Sequence, residues 1–192
     1  MIDEDRHLRA DAERSVRSIL EAAERILSRD PTATMEQIAE AAGVARTTIH
    51  RRFATRDTLV ASMTHAAWRQ IREAVKQARP DTAPPLVGMH QATANVLRIK
   101  SVWPSALGQH PTNGAATDQV QAEVFAACDT LLMRAQQAGI IEPQADLDWL
   151  RQVYLALLEK AAQHMLSDSG DPDAVAARVI DTLLYGAAGR RP

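Results

Sequence analysis

Apolar residues recur at helical spacing along almost the whole chain. Val16, Ile19, Leu20, Ala23, Ile26 and Leu27 fall on one face of a helix, with Arg17, Glu21, Glu24 and Arg25 assigned to the other. Pro31 stops this helix, because proline lacks the amide donor that continuation needs. Thr34 opens a second, short helix, and Gln37 three positions on completes a capping box. Gly43 ends it, as the residue that best tolerates a left-handed turn. A third short helix is predicted from about Ala45 to Arg52. Thr55 or Asp57 starts a long fourth helix, with Leu59, Val60, Met63, Ala67, Ile71, Ala74 and Val75 on one face, closing before Pro80.

The second half of the chain reads the same way. A fifth helix is predicted from about Pro85 to Lys100. Residues 101–116 hold Pro104, Gly108, Pro111 and Gly114, which predict one helical turn and a loop. Val120, Val124, Cys128, Leu131, Leu132 and Ala135 mark a seventh helix closed by Gly139. Asp146 and Asp148 open an eighth, with Leu147, Leu150, Val153, Tyr154, Leu157, Leu158, Ala161 and Met165 apolar over a broad arc. Asp171 followed by Pro172 is an N-cap with proline at the first helical position, and begins a ninth helix carrying Val175, Val179, Ile180, Leu183 and Leu184. No segment alternates like a strand, and no repeat is visible. The fold class is all-α, with about nine helices.

Composition narrows the function. The chain has 192 residues, a formal net charge of −2 and 46% hydrophobic residues, enough for a well-buried core. A protein that coats nucleic acid along its length would be strongly basic, so any DNA contact must be local. Cys128 is the only cysteine, which excludes an intrachain disulfide and a paired-cysteine metal or redox motif. Six histidines are scattered without metal-ligand spacing, so neither a metal site nor a cofactor is expected. Asp146 with Asp148, and Asp171 with Asp173, sit as helix caps and not as paired catalytic carboxylates, and no enzyme is expected. The acidic N-terminus lacks the apolar core of a signal peptide, and no stretch reaches the roughly 18 apolar residues of a membrane helix. A cytoplasmic protein with no membrane contact is expected.

Local charge then singles out one segment. Between Val44 and Arg56 stand four arginines and no acid. Ile38, Ala39, Val44, Ile49 and Phe53 would pack the second and third helices on each other and on the first. Ala39 and Ala42 are small enough for close approach, and Gly43 makes the turn. Arg46, Thr47, Thr48, His50 and Arg51 would then face outward, as cations for phosphate and as hydrogen-bonding groups for base edges. This is the physical pattern of a helix-turn-helix.

The same residues resemble the TetR family of transcriptional regulators. Thr34, Ile38 with Ala39, the run Ala42, Gly43, Val44, then Thr48, Phe53 and Leu59 match the family pattern directly. His50 stands where the family usually has tyrosine, and Arg56 where it usually has lysine. The resemblance implies a DNA-binding domain at residues 1–56 and a helical effector-binding and dimerisation domain at residues 57–192. It implies a repressor that holds a palindromic double-stranded DNA operator as a homodimer and is released by a small-molecule effector. A twofold dimer would present its recognition helices to successive major grooves about 34–36 Å apart. Arg46, Thr47 and Thr48 are expected to read bases, and Thr34, His50, Arg51 and Arg56 to hold phosphates.

In the second domain, the resemblance implies a dimer interface on the last two helices, residues 146–167 and 172–187. The broad apolar arc of the eighth helix points independently to burial on more than one side. Candidate effector contacts are Met89, His90, Trp103, Phe125, Cys128, Leu132 and Trp149, and His90 and Arg98 could orient a polar or anionic group on the ligand. Each of them could equally be ordinary core or surface. The effector is not named by the sequence.

Overall fold

The structure, a computed structural model, describes residues 2–108, 114–168 and 170–186, and of residues 2–12 and 168 the backbone alone. Among the described residues the chain forms nine helices and no strand. They are α1 (Ile2–Leu27), α2 (Met35–Ala41), α3 (Arg46–Arg52), α4 (Arg56–Gln77), α5 (Pro85–Val102), α6 (Pro104–Gly108), α7 (Ala115–Gln137), α8 (Leu147–Asp168) and α9 (Pro172–Tyr185). The loop expected behind α6 includes residues 109–113, and the expected end of α9 at 187 is a further position outside the described residues.

The start and stop residues act as their chemistry dictates. Thr34 has extended backbone angles, its hydroxyl accepts from the Gln37 N–H at 3.3 Å, and the Gln37 side chain accepts from the Thr34 N–H at 2.7 Å. Gly43 closes α2 at φ 67°, with its N–H bonded to the Glu40 carbonyl and the Val44 N–H bonded to the Ala39 carbonyl. That pair of bonds satisfies carbonyls the helix end would otherwise leave open. Asp146 accepts from the Trp149 N–H at the start of α8, and Asp171 accepts from the Asp173 and Ala174 N–H groups at the start of α9.

Contacts divide the chain into two compact units. The first comprises Met1–Ala67 with Trp103–Gly114, the second Trp68–Val102 with Ala115–Pro192. The division runs within α4 and gathers α6 into the first unit, whereas the partition at residue 56 follows the helix-turn-helix motif. In the first unit, α2 packs on α1 and on α3. Ile19, Ala23, Ile38, Ile49, Leu59 and Met63 are fully buried there, so apolar burial holds these short helices together. The Ser18 hydroxyl donates to the Ala42 carbonyl at 3.0 Å, tying α1 to the end of α2.

Glu24 departs from the expected pattern. It was assigned to the polar face of α1, yet it is 5% exposed. Its position one turn after Leu20 and one turn before Leu27 places it on the apolar arc. Its carboxylate accepts the backbone N–H of Ser105 at 2.7 Å and of Ala106 at 3.0 Å, at the start of α6. The Thr64 hydroxyl donates to the Ala106 carbonyl at 3.1 Å, so α6 is held from α1 and from α4. Burial pushes the Glu24 carboxyl above its ordinary value, and the two backbone bonds oppose that rise.

In the second unit α5 lies against α9, α8 and α7. Gly88 makes this packing close, since a Cβ there would meet Leu131 Cδ2 at 2.8 Å. Met89, Ala92, Leu131, Leu132, Ala135 and Ile180 form a buried cluster. Polar ties add to the apolar packing: Asn95 donates to the Ala74 carbonyl at 3.0 Å, and Arg134 to the Pro80 carbonyl at 2.6 Å.

Candidate nucleic-acid interface

The outward face of α3 is built by one buried anchor. Ile49 is fully buried, which turns Arg46, Thr47, His50 and Arg51 outward, all exposed, with Thr48 half-buried beside them. The helix begins at Ala45 without a side-chain cap, so its first N–H groups carry no local hydroxyl or carboxylate. Its last turn holds His50, Arg51 and Arg52. Positive side chains at the C-terminal end are favoured by the helix dipole, and here they also supply charge for phosphate.

The expected DNA-contact residues are differently engaged. Arg46, Thr47 and Arg51 project from one short helix. Thr34 is exposed at the start of α2, where its hydroxyl serves the capping box. Arg56 stands at the first position of α4, and its guanidinium donates from both terminal nitrogens, to the carbonyls of Pro31 and Ala33. The arginine fork thus clasps the α1–α2 connection, a use of two parallel donors that lysine could not reproduce. A phosphate role for Arg56 would have to share the group with these bonds.

Glu36 was not singled out in the sequence; it stands in the first turn of α2. Its Oε1 lies 2.9 Å from Arg46 Nη2 and 3.4 Å from His50 Nε2. Its own backbone N–H and the His50 bond, with Arg46 nearby, hold the Glu36 carboxyl below the usual carboxylate range. The signal available beforehand was the packing of α2 on α3, which brings the exposed start of α2 beside α3.

The candidate effector residues do not form one group. Met89 and Leu132 are buried members of the cluster in the second unit, with Cys128 packed against it. Burial pushes the Cys128 thiol up to about 12. Beside them Tyr154 and Thr93 share a hydrogen bond at 2.9 Å, and the Thr93 hydroxyl donates to the Met89 carbonyl. Phe125 meets Trp68 edge to face, ring centroids 6.0 Å apart. His90 is half-buried on α5. Trp103 is buried in the first unit, and Trp149 is 63% exposed on α8. Arg98 is paired with Asp173 and bonded to Asn95.

Among the described residues no group of histidine, cysteine or carboxylate side chains could hold a metal ion. Nor is any helix there long and apolar enough to cross a membrane.

Residues 19–63 match the family model described as bacterial regulatory proteins, tetR family. The chain is 28% identical over 148 residues to the HTH-type transcriptional repressor LfrR of Mycolicibacterium smegmatis, covering 77% of each protein. The crystal structure of the TetR-like regulator LfrR from Mycobacterium smegmatis in complex with proflavine is similar at a TM-score of 0.67, with 21% identity, over 93% of this chain and 99% of that one. The transcriptional regulator FadR from Bacillus subtilis, solved in complex with stearoyl-CoA, is similar at a TM-score of 0.72, with 16% identity, over 88% of this chain and 97% of that one. The matched segment spans the capped α2, the glycine turn and the cationic α3, and the frame around it is helical throughout among the described residues: residues 19–63 carry the segment of the bacterial regulatory proteins of the tetR family, and the chain is a DNA-binding transcriptional regulator.

Proposed function

We propose that the chain is a repressor that holds a near-palindromic operator as a homodimer and is released by a small organic effector. The observation that carries this reading is the face of α3, where buried Ile49 presents Arg46, Thr47 and Arg51 together to solvent. In this reading Arg46, Thr47 and Thr48 meet base edges, while Arg51, His50 and Thr34 position the phosphate backbone. Residues 1–56 act as the DNA-binding domain, and residues 57–192 sense and dimerise. The protein acts in the cytoplasm, by binding and not by catalysis.

Dimerisation through α8 and α9 is supported by the apolar surface they leave open. Trp149, Leu166 and Tyr185 are exposed, and Leu147, Leu150, Val153 and Leu157 are only half-buried within one chain. An interface between two such helix pairs would cover them. The effector would enter the second unit near Met89, Cys128 and Leu132, where the Thr93 and Tyr154 hydroxyls offer polar groups in apolar surroundings. Regulation requires that the effector bind one arrangement of the two DNA-binding domains better than the other.

The test is a mobility shift and footprint on the DNA upstream of the protein's own coding region, across a salt series. A specific complex is expected, protecting two half-sites about one helical turn apart and weakening steeply with salt. Proflavine and stearoyl-CoA, bound by the similar LfrR and FadR, are the first probes for release. Absence of any sequence-specific complex at all salt concentrations would overturn the reading.

A further inference from the structure

Glu36 is an acid on the surface that has to approach phosphate. It is the second residue of α2, exposed, and its carboxylate lies across from α3. A single oxygen, Oε1, takes both Arg46 and His50, at 2.9 and 3.4 Å. These two are one helical turn apart on α3, so the carboxylate bridges the residue that opens the recognition helix and the one stacked behind it. Such a placement costs affinity for DNA in general, because a negative charge next to phosphates repels them and a paired arginine is less available to neutralise them.

The pair has a matching gain in selectivity. An unpaired arginine samples many rotamers, which it must give up to meet a base, and the contact with the carboxylate biases Arg46 toward one direction beforehand. The guanidinium keeps further N–H donors, and Glu36 Oε2 remains as an acceptor beside them. Donors next to an acceptor complement the major-groove edge of a G·C pair, where guanine offers the N7 and O6 acceptors and cytosine offers its amino donor. The other base pairs set out their groups in a different order.

From this geometry we infer that Glu36 is a specificity-determining residue, which together with Arg46 reads one G·C pair in each operator half-site. The inference rests on the reading of α3 as the recognition helix. Its test is site selection from randomised duplex DNA, run in parallel with the wild-type protein and with Glu36→Gln, Glu36→Ala and Arg46→Ala. The wild type is expected to enrich a G·C pair at one symmetric position of each half-site. Glu36→Ala should lower the preference at that position by about tenfold and leave the others unchanged. Glu36→Gln keeps the size of the side chain without its charge and should lose preference at the same position. Binding to non-specific DNA should strengthen severalfold in Glu36→Ala, with a salt slope steeper by about one. Arg46→Ala should lose the same position, and combining it with Glu36→Ala should change that position no further.

If the wild type enriches a defined site and the Glu36 variants enrich it with the same base preferences, this inference falls while the regulator reading stands. If the wild type enriches no site, the regulator reading itself falls. Glu36 is exposed, and the variants should stay folded, as their unfolding curves check. Should Glu36→Ala be destabilised, Glu36→Gln decides the outcome alone.

Discussion

Glu24 and Ala106 stand 82 positions apart in the chain, yet the Glu24 carboxylate accepts the Ala106 backbone N–H at 3.0 Å. The neighbouring Ser105 N–H is bonded to the other carboxylate oxygen. One buried acid thus satisfies the open donors at the start of α6 and holds that short helix on α1.

Removing the carboxylate should leave two buried donors unpaired. Glu24→Ala is expected to lose about 2–3 kcal/mol of stability, and Glu24→Gln, whose amide offers one acceptor, about 1 kcal/mol. Urea unfolding at constant pH measures both.

The pH dependence of that difference follows from burial. The folded-state value of Glu24 lies above its ordinary 4.5, so the folded state binds this proton more tightly than the unfolded chain does. The associated stability is fully present below about 4.5 and is lost as pH rises through the raised folded value. Glu24→Gln lacks this loss, so its deficit against the wild type should shrink as pH rises through that window. A deficit that widens over the same range would contradict the assignment. Unfolding curves of the two proteins over a pH series give the comparison.

Arg56 is engaged with the carbonyls of Pro31 and Ala33, so its removal should be felt in folding as well as in binding. Arg56→Ala is expected to cost about 1–2 kcal/mol in urea unfolding. Arg56→Lys keeps the charge but not the fork, and should fail to restore that stability. Were Arg56 only a phosphate clamp, both variants would unfold like the wild type and only the salt slope of Arg56→Ala would change.

Gly43 turns the chain between α2 and α3 at φ 67°, with open space where a Cβ would project. Strain in Gly43→Ala is therefore confined to the left-handed backbone, about 1 kcal/mol, and Gly43→Asn should cost less. Thermal unfolding of the two variants distinguishes them.

The Cys128 thiol, raised to about 12 by burial, carries almost no thiolate near neutral pH. A thiol reagent at about pH 8 should leave it unmodified in the folded protein and modify it readily in denaturant, as read by intact-mass spectrometry. Rapid labelling of the native protein would show that the site opens.

Period, caps and breakers by themselves determined the all-helical fold, the two ends of α2, the start of α9, and the helix-turn-helix carried by Thr34, Gly43, Ile49 and the outward arginines. These are local properties: spacing sets the face a residue occupies, and proline, glycine and hydroxyl caps act within a turn of their position. Tertiary structure decided what depends on a distant partner. It buried Glu24 against the amides of Ser105 and Ala106, turned Arg56 back onto the Pro31 and Ala33 carbonyls, and brought Glu36 of α2 to Arg46 and His50 of α3. It also buried Met89 and Leu132 in one cluster of the second unit and left Trp149 exposed on α8. An ionic side chain carries no periodic record of which partner it will meet, because the partner is chosen by the packing of apolar faces around it.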